Sequence, residues 1–151
     1  SASLEGIIGL NPQKIKEYAE KIDLESASVE AANKLLPSVV EYKVQKLYPI
    51  IGQVVAFYPF IEMNDPKLGA IAEKGFNLIM ESNDVKATEA ITKIFRNYTS
   101  VFKEPQVRGI IVEILKNGLA KKVKLLRENS QSNSLNMQVE SIQKVIDEYQ
   151  K

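Results

Sequence analysis

Apolar residues recur along this chain at spacings of three and four, and no stretch sustains an apolar–polar alternation. That period belongs to helices packed by one face, so the pattern predicts helices and no strand. Asn11-Pro12 predicts a helix start, because Asn caps and Pro suits the first helical position. Ile15, Tyr18, Ala19 and Ile22 then form one short stripe. "ESASVEAANKLL" predicts a second, Ala-rich helix. After Pro37, Ser38 with Glu41 three residues on has the form of a capping box, which predicts a fresh helix from Val39. Along it Val40, Val44, Leu47, Tyr48, Ile51, Val55 and Tyr58 make one stripe, while Ile50, Val54, Phe57, Phe60 and Ile61 cover much of the rest. A helix apolar all round is buried all round, and Pro49 and Pro59 should kink or break it.

Asp65-Pro66 opens the next helix, whose inward face is Leu68, Ile71, Ala72, Gly75, Phe76, Ile79 and Met80. Ser82-Asn83-Asp84 ends it and caps a further one, with Ala87, Ile91, Ile94, Phe95, Tyr98, Val101 and Phe102 facing inward. So short a connection predicts an antiparallel helical hairpin. Glu104-Pro105 starts a helix that carries Val107, Ile110, Ile111, Ile114, Leu115, Leu119, Val123 and Leu126. A polar loop over Asn129–Asn136 follows, then a last helix with Leu135, Val139, Ile142, Val145, Ile146 and Tyr149. The expected fold is a single all-α domain over residues 1–151, an irregular bundle of about six or seven helices around a buried central helix.

Two correspondences hint at a repeat. "EAITKIFRNY", Glu89–Tyr98, is echoed by "ESIQKVIDEY", Glu140–Tyr149, 51 positions on, and the acid-Pro starts at Pro66 and Pro105 lie 39 apart. Periods near 40 are those of helical-hairpin arrays of the HEAT type. A HEAT-like pair of hairpins in the C-terminal half would place the second copy's 12 extra residues, the difference between those offsets, in the Asn129–Asn136 loop. The other reading is an irregular bundle whose helices share a grammar. In either, Ile91 and Tyr98 recur as core positions, and Glu89 and Lys93 as an exposed i, i+4 pair.

Composition narrows the chemistry. The 151 residues are 44% hydrophobic and 26% charged, with a net charge of +1, which is ordinary for a globular chain and gives no field that would draw nucleic acid. There is no Cys, His or Trp. Disulfides, a thiolate nucleophile, an imidazole base and ordinary zinc ligation are thereby excluded. The seven glycines are scattered and build no phosphate loop. No enzyme activity, cofactor or metal is expected. The uncharged run Leu47–Ile61 is too short to cross a bilayer, which takes about 20 residues. No segment has a signal-peptide pattern, and the compartment stays open with a lean toward the cytoplasm.

Four features bear on function. Lys121, Lys122, Lys124 and Arg127, with Lys116 a turn earlier, would meet an anion or an acidic partner, or would offset the dipole at a helix C-terminus. Phe57, Tyr58 and Phe60, with Tyr48, would line an apolar pocket or a groove for a partner helix, or would pack in the core. The acidic corner Glu62–Asp65 reads as capping. Asn97-Tyr98-Thr99 is an N-glycosylation sequon, but it falls inside a predicted helix beside a predicted core tyrosine, so little occupancy is expected. The functional expectation is a non-enzymatic helical module that binds a protein partner or associates with itself. The alternative is a carrier of an apolar ligand or lipid in a cavity around Val39–Ile61.

Overall fold

A computed structural model describes residues 29–151; the expected start at Asn11-Pro12 and the stripe from Ile15 to Ile22 lie outside the described residues. The elements are α1 (Val29–Tyr42), a 3-10 turn (Gln45–Leu47), α2 (Tyr48–Val55), α3 (Tyr58–Asn64), α4 (Pro66–Met80), α5 (Val85–Asn97), α6 (Pro105–Glu128) and α7 (Asn133–Tyr149). Among the described residues there is no strand, so the protein is all-α. The described residues fall into two compact units, divided between Leu78 and Ile79.

In the first unit α1 runs straight through Pro37, and no new helix starts at Val39. Ala31, Ala32, Leu35, Leu36, Val39 and Val40 form one uninterrupted buried stripe along it. Proline inside a helix costs about 3 kcal/mol and releases the carbonyl four residues back. That carbonyl belongs to Asn33, an exposed position open to water. Burying each Leu or Val contributes roughly 1.5–3 kcal/mol, so the stripe outweighs the proline. The helix ends instead at Lys43, whose φ of 52° is left-handed, and the Val44 amide donates back to the Val39 carbonyl at 3.1 Å. This is a Schellman closure with a lysine where glycine is usual.

The expected central helix from Val39 to Ile61 is therefore divided among the end of α1, the 3-10 turn, α2 and α3. Both prolines sit in first turns, Pro49 in α2 and Pro59 in α3, where their missing N–H has no partner to lose. Burial on all sides holds for α2, with Tyr48, Ile50, Ile51, Gly52, Val54 and Val55 inside, but α3 has no buried residue. Asp65 caps α4 as expected, its Oδ1 accepting from the Leu68 amide at 3.1 Å. A Cβ added at Gly69 would come 2.6 Å from the Glu62 Cα, so α3 and α4 touch backbone to backbone there. At Gly75 an added Cβ would meet Val55 Cγ1 at 2.9 Å and Val40 Cγ2 at 3.2 Å; the absent side chain lets α4 close onto α2 and α1.

In the second unit Asp84 caps α5, accepting from the Ala87 amide at 2.9 Å. α5 buries Ala87, Thr88, Ile91, Thr92 and Phe95 and stops at Asn97. Tyr98 and Val101, expected inward, are 39% and 62% exposed, because the stripe they would continue ends with the helix. The Asn129–Asn136 loop is also shorter than expected: α7 begins at Asn133, with the Ser132 hydroxyl accepting from the Leu135 amide at 3.2 Å. The helices are unequal in length instead, α6 having 24 residues and α4 15, α7 having 17 and α5 13.

α6 and α7 are antiparallel, since Arg108 near the start of α6 reaches the carbonyls of Glu148 and Tyr149 at the end of α7. α5 and α7 run parallel and side by side. Ser134 donates to Asn83, Thr88 to Gln138 and Tyr149 to the Phe95 carbonyl, so partners advance together along both helices. The two echoing segments are thus neighbours. Ile91 and Ile142 are fully buried, whereas Tyr149 is buried and Tyr98 is not.

Candidate functional site

The buried positions of α6 include Ile111, Ile114, Leu115, Gly118 and Lys122. Arg108 lies on the same face, one step of three before Ile111. Arg108, Leu115 and Lys122 are seven apart, with Ile111 and Gly118 between them. This is the heptad seam of a helix packed along its length. Its two ends are cations about 21 Å apart along the axis.

Lys122 has no solvent exposure. Its Nζ donates to the Ile79 carbonyl at 3.1 Å and, by a short bond, to the Ser82 carbonyl. Those carbonyls belong to the end of α4 and the turn after it, groups that a helix leaves unpaired. The ammonium thus closes the C-terminus of another helix and sits at its negative dipole end. Burial pushes Lys122 from its ordinary 10.5 down to about 8, with the Asp84 carboxylate opposing the shift.

Arg108 does the same work at the other end. Its Nη1 donates to Thr99 O at 2.8 Å and Phe102 O at 2.7 Å, fixing the turn after α5. Nε and Nη2 donate to Tyr149 O at 3.3 Å and Glu148 O at 3.1 Å, closing α7. The guanidinium also lies 4.8 Å from the Tyr149 ring centroid. Tyr149 in turn packs edge-on against Phe95 and is pushed up to about 12, by burial first and by Glu148, against the pull of Arg108. Between the two cations, Thr88 Oγ1 donates to Gln138 Oε1 at 3.0 Å and Gln138 Nε2 donates to Asn83 Oδ1 at 2.7 Å, which sets the register of α5 on α7.

The expected basic cluster is therefore divided. Lys122 is no surface contact for an anion or an acidic partner; it is a structural cap. Lys124 and Arg127 are exposed or half-buried at the surface, as is Lys121. Lys121 and Lys124 line an open groove with Glu81, Ala120, Leu125 and Glu128, a wall of mixed charge. The sequence does not signal either cation's inward place, because charged residues are ordinarily assigned to the solvent face.

The aromatic group stands at the edge of the first unit. Phe57, Tyr58 and Phe60 are all half-buried, and Tyr48 is in the core. Tyr58 packs on the buried Phe76 with ring centroids 5.6 Å apart, and Phe57 lies 6.4 Å from Phe60. Met63, one turn on from Phe60, is 80% exposed. Among the described residues no three carboxylate, His or Cys side chains gather to hold a metal, and no helix is long and apolar enough to cross a membrane. Comparison with protein-family models, curated proteins and solved structures gives no match for the chain.

Proposed function

We propose that this protein is a non-enzymatic helical interaction module whose partner-binding edge is α3. The observation that carries the reading is that α3 buries none of its residues although it contains Phe60, Ile61 and Met63. It is nonetheless held rigidly, by the backbone contact at Gly69 and by Tyr58 on Phe76. Aromatic residues and Met on a pre-organised edge are the residue types enriched at protein interfaces, and Met adapts to an irregular partner surface. The parallel pairing of α5 and α7 supports reading these two helices as corresponding members of a repeat, a scaffold for such an edge.

The carrier reading needs space around Val39–Ile61. The crowding at Gly75 by Val55, Val40 and Ile51 speaks for a filled junction there. The test is quantitative affinity enrichment with wild type, Met63→Glu and Phe60→Ser, each checked by circular dichroism for an intact fold. The proposal expects a defined set of proteins retained by wild type and lost by both variants. Equal retention by all three, or a lipid-sized adduct on the purified protein in native mass spectrometry, would overturn it.

A further inference from the structure

We propose that Asn97 is a competent N-glycan acceptor when this chain passes through the secretory route. Asn97-Tyr98-Thr99 meets the sequon requirement of Asn followed two residues on by a hydroxyl residue. Two features of the sequence count against it: an acceptor within a predicted helix, and a neighbouring tyrosine on the predicted core face. The structure puts the acceptor at the very end of its helix and takes the tyrosine off the core. Asn97 is the last residue of α5 and is exposed, and the residues after it form a turn. Tyr98 is 39% exposed and Val101 62%. A glycan can therefore extend from Asn97 into solvent without displacing any core side chain.

The site is also well held. Arg108 fixes the turn through the Thr99 and Phe102 carbonyls, and Thr99 Oγ1 donates to the Arg96 carbonyl at 2.9 Å. The co-reactant is a lipid-pyrophosphate-linked oligosaccharide. The Asn97 Nδ2 attacks C1 of its reducing-end sugar, forming the N-glycosidic bond. The bond from C1 to the pyrophosphate oxygen breaks, the lipid pyrophosphate leaves, and the amide gives one proton to a base of the transferase. No electron transfer is involved.

The test is expression of the full chain behind a secretory leader in eukaryotic cells, with intact mass measured before and after peptide N-glycosidase treatment. The expected result is a heavier form that collapses to the bare chain with aspartate left at position 97. Asn97→Gln and Thr99→Ala should each abolish the heavier form, and Thr99→Ser should keep it. A secreted chain with only the unshifted mass would overturn the assignment, as would a heavier form that persists in both Asn97→Gln and Thr99→Ala.

Discussion

Replacing Lys122 with Met separates the two things its ammonium does. Met keeps the unbranched shape of the side chain but removes the charge and the donor to the Ile79 and Ser82 carbonyls. Lys122 titrates near 8 in the folded protein and near 10.5 when unfolded. Between those values the unfolded chain binds more protons than the folded one, so this group makes stability rise with pH. Each tenfold change in proton affinity is worth about 1.4 kcal/mol, so below about pH 8 the buried charge opposes folding by roughly 3 kcal/mol. The lost hydrogen bonds of the variant are the same at every pH, so they move the wild type–variant difference by a constant. Urea unfolding of both proteins from pH 7 to 9.5, below the range where Tyr149 titrates in the folded protein, isolates the ionisation. Wild type should gain about 2 kcal/mol on Lys122→Met across that interval. A difference that stays flat, or that moves against wild type as pH rises, would refute the placement of a charged Lys122 in a dry site.

Other expectations follow from the packing. Gly69→Ala should destabilise by about 1–3 kcal/mol, because its methyl meets the Glu62 backbone, while Gly109→Ala, with nothing within 4 Å, should stabilise by about 0.5–1 kcal/mol; thermal melts giving both changes the same sign would contradict the α3–α4 contact. Arg108→Leu should lower the melting temperature by about 10 °C, a loss of roughly 3 kcal/mol from unpairing the Thr99, Phe102, Glu148 and Tyr149 carbonyls. Arg108→Lys should recover little of it, since one ammonium cannot copy the guanidinium fork; full recovery by Lys would mean that charge alone matters at this position.

Much of the fold is legible in the sequence because α4 to α7 obey simple rules. Asp65 and Asp84 cap where the pattern puts them, and the inward face of α7 follows from its spacing, except that Gln138 is buried where Val139 is expected and Val139 is half-buried. What is not legible comes from tertiary packing overriding local signals. Pro37 reads as a boundary, yet the stripe from Ala31 to Val40 carries the helix across it. Lys43 carries no stop signal, yet it takes the left-handed turn that glycine usually supplies. Periodicity misplaces residues wherever a helix stops early, as with Tyr98 and Val101 after Asn97. At the candidate site, the aromatic edge of Phe57, Tyr58 and Phe60 stands out in the sequence, though Met63 completes it. The basic cluster stands out too, but its spacing does not reveal that Lys122 turns inward. Arg108 gives no signal at all, because a cation in a core seam has no composition signature. Only its partners give it a role, two of them carbonyls some 40 residues away in sequence, and the partners of Lys122 lie as far off.

That role is tested most directly by amine reactivity along α6. The folded protein is treated at about pH 8.5 with a small acylating ester for a short time, and modification of Lys121, Lys122 and Lys124 is quantified by peptide mass spectrometry. On basicity alone Lys122, pushed down to about 8, would react readily at this pH. The structure predicts the reverse, with Lys121 and Lys124 modified and Lys122 protected until denaturant is added, because its amine is buried against the Ile79 and Ser82 carbonyls. Modification of Lys122 in the folded protein as fast as Lys124 would contradict a capping role for the buried ammonium.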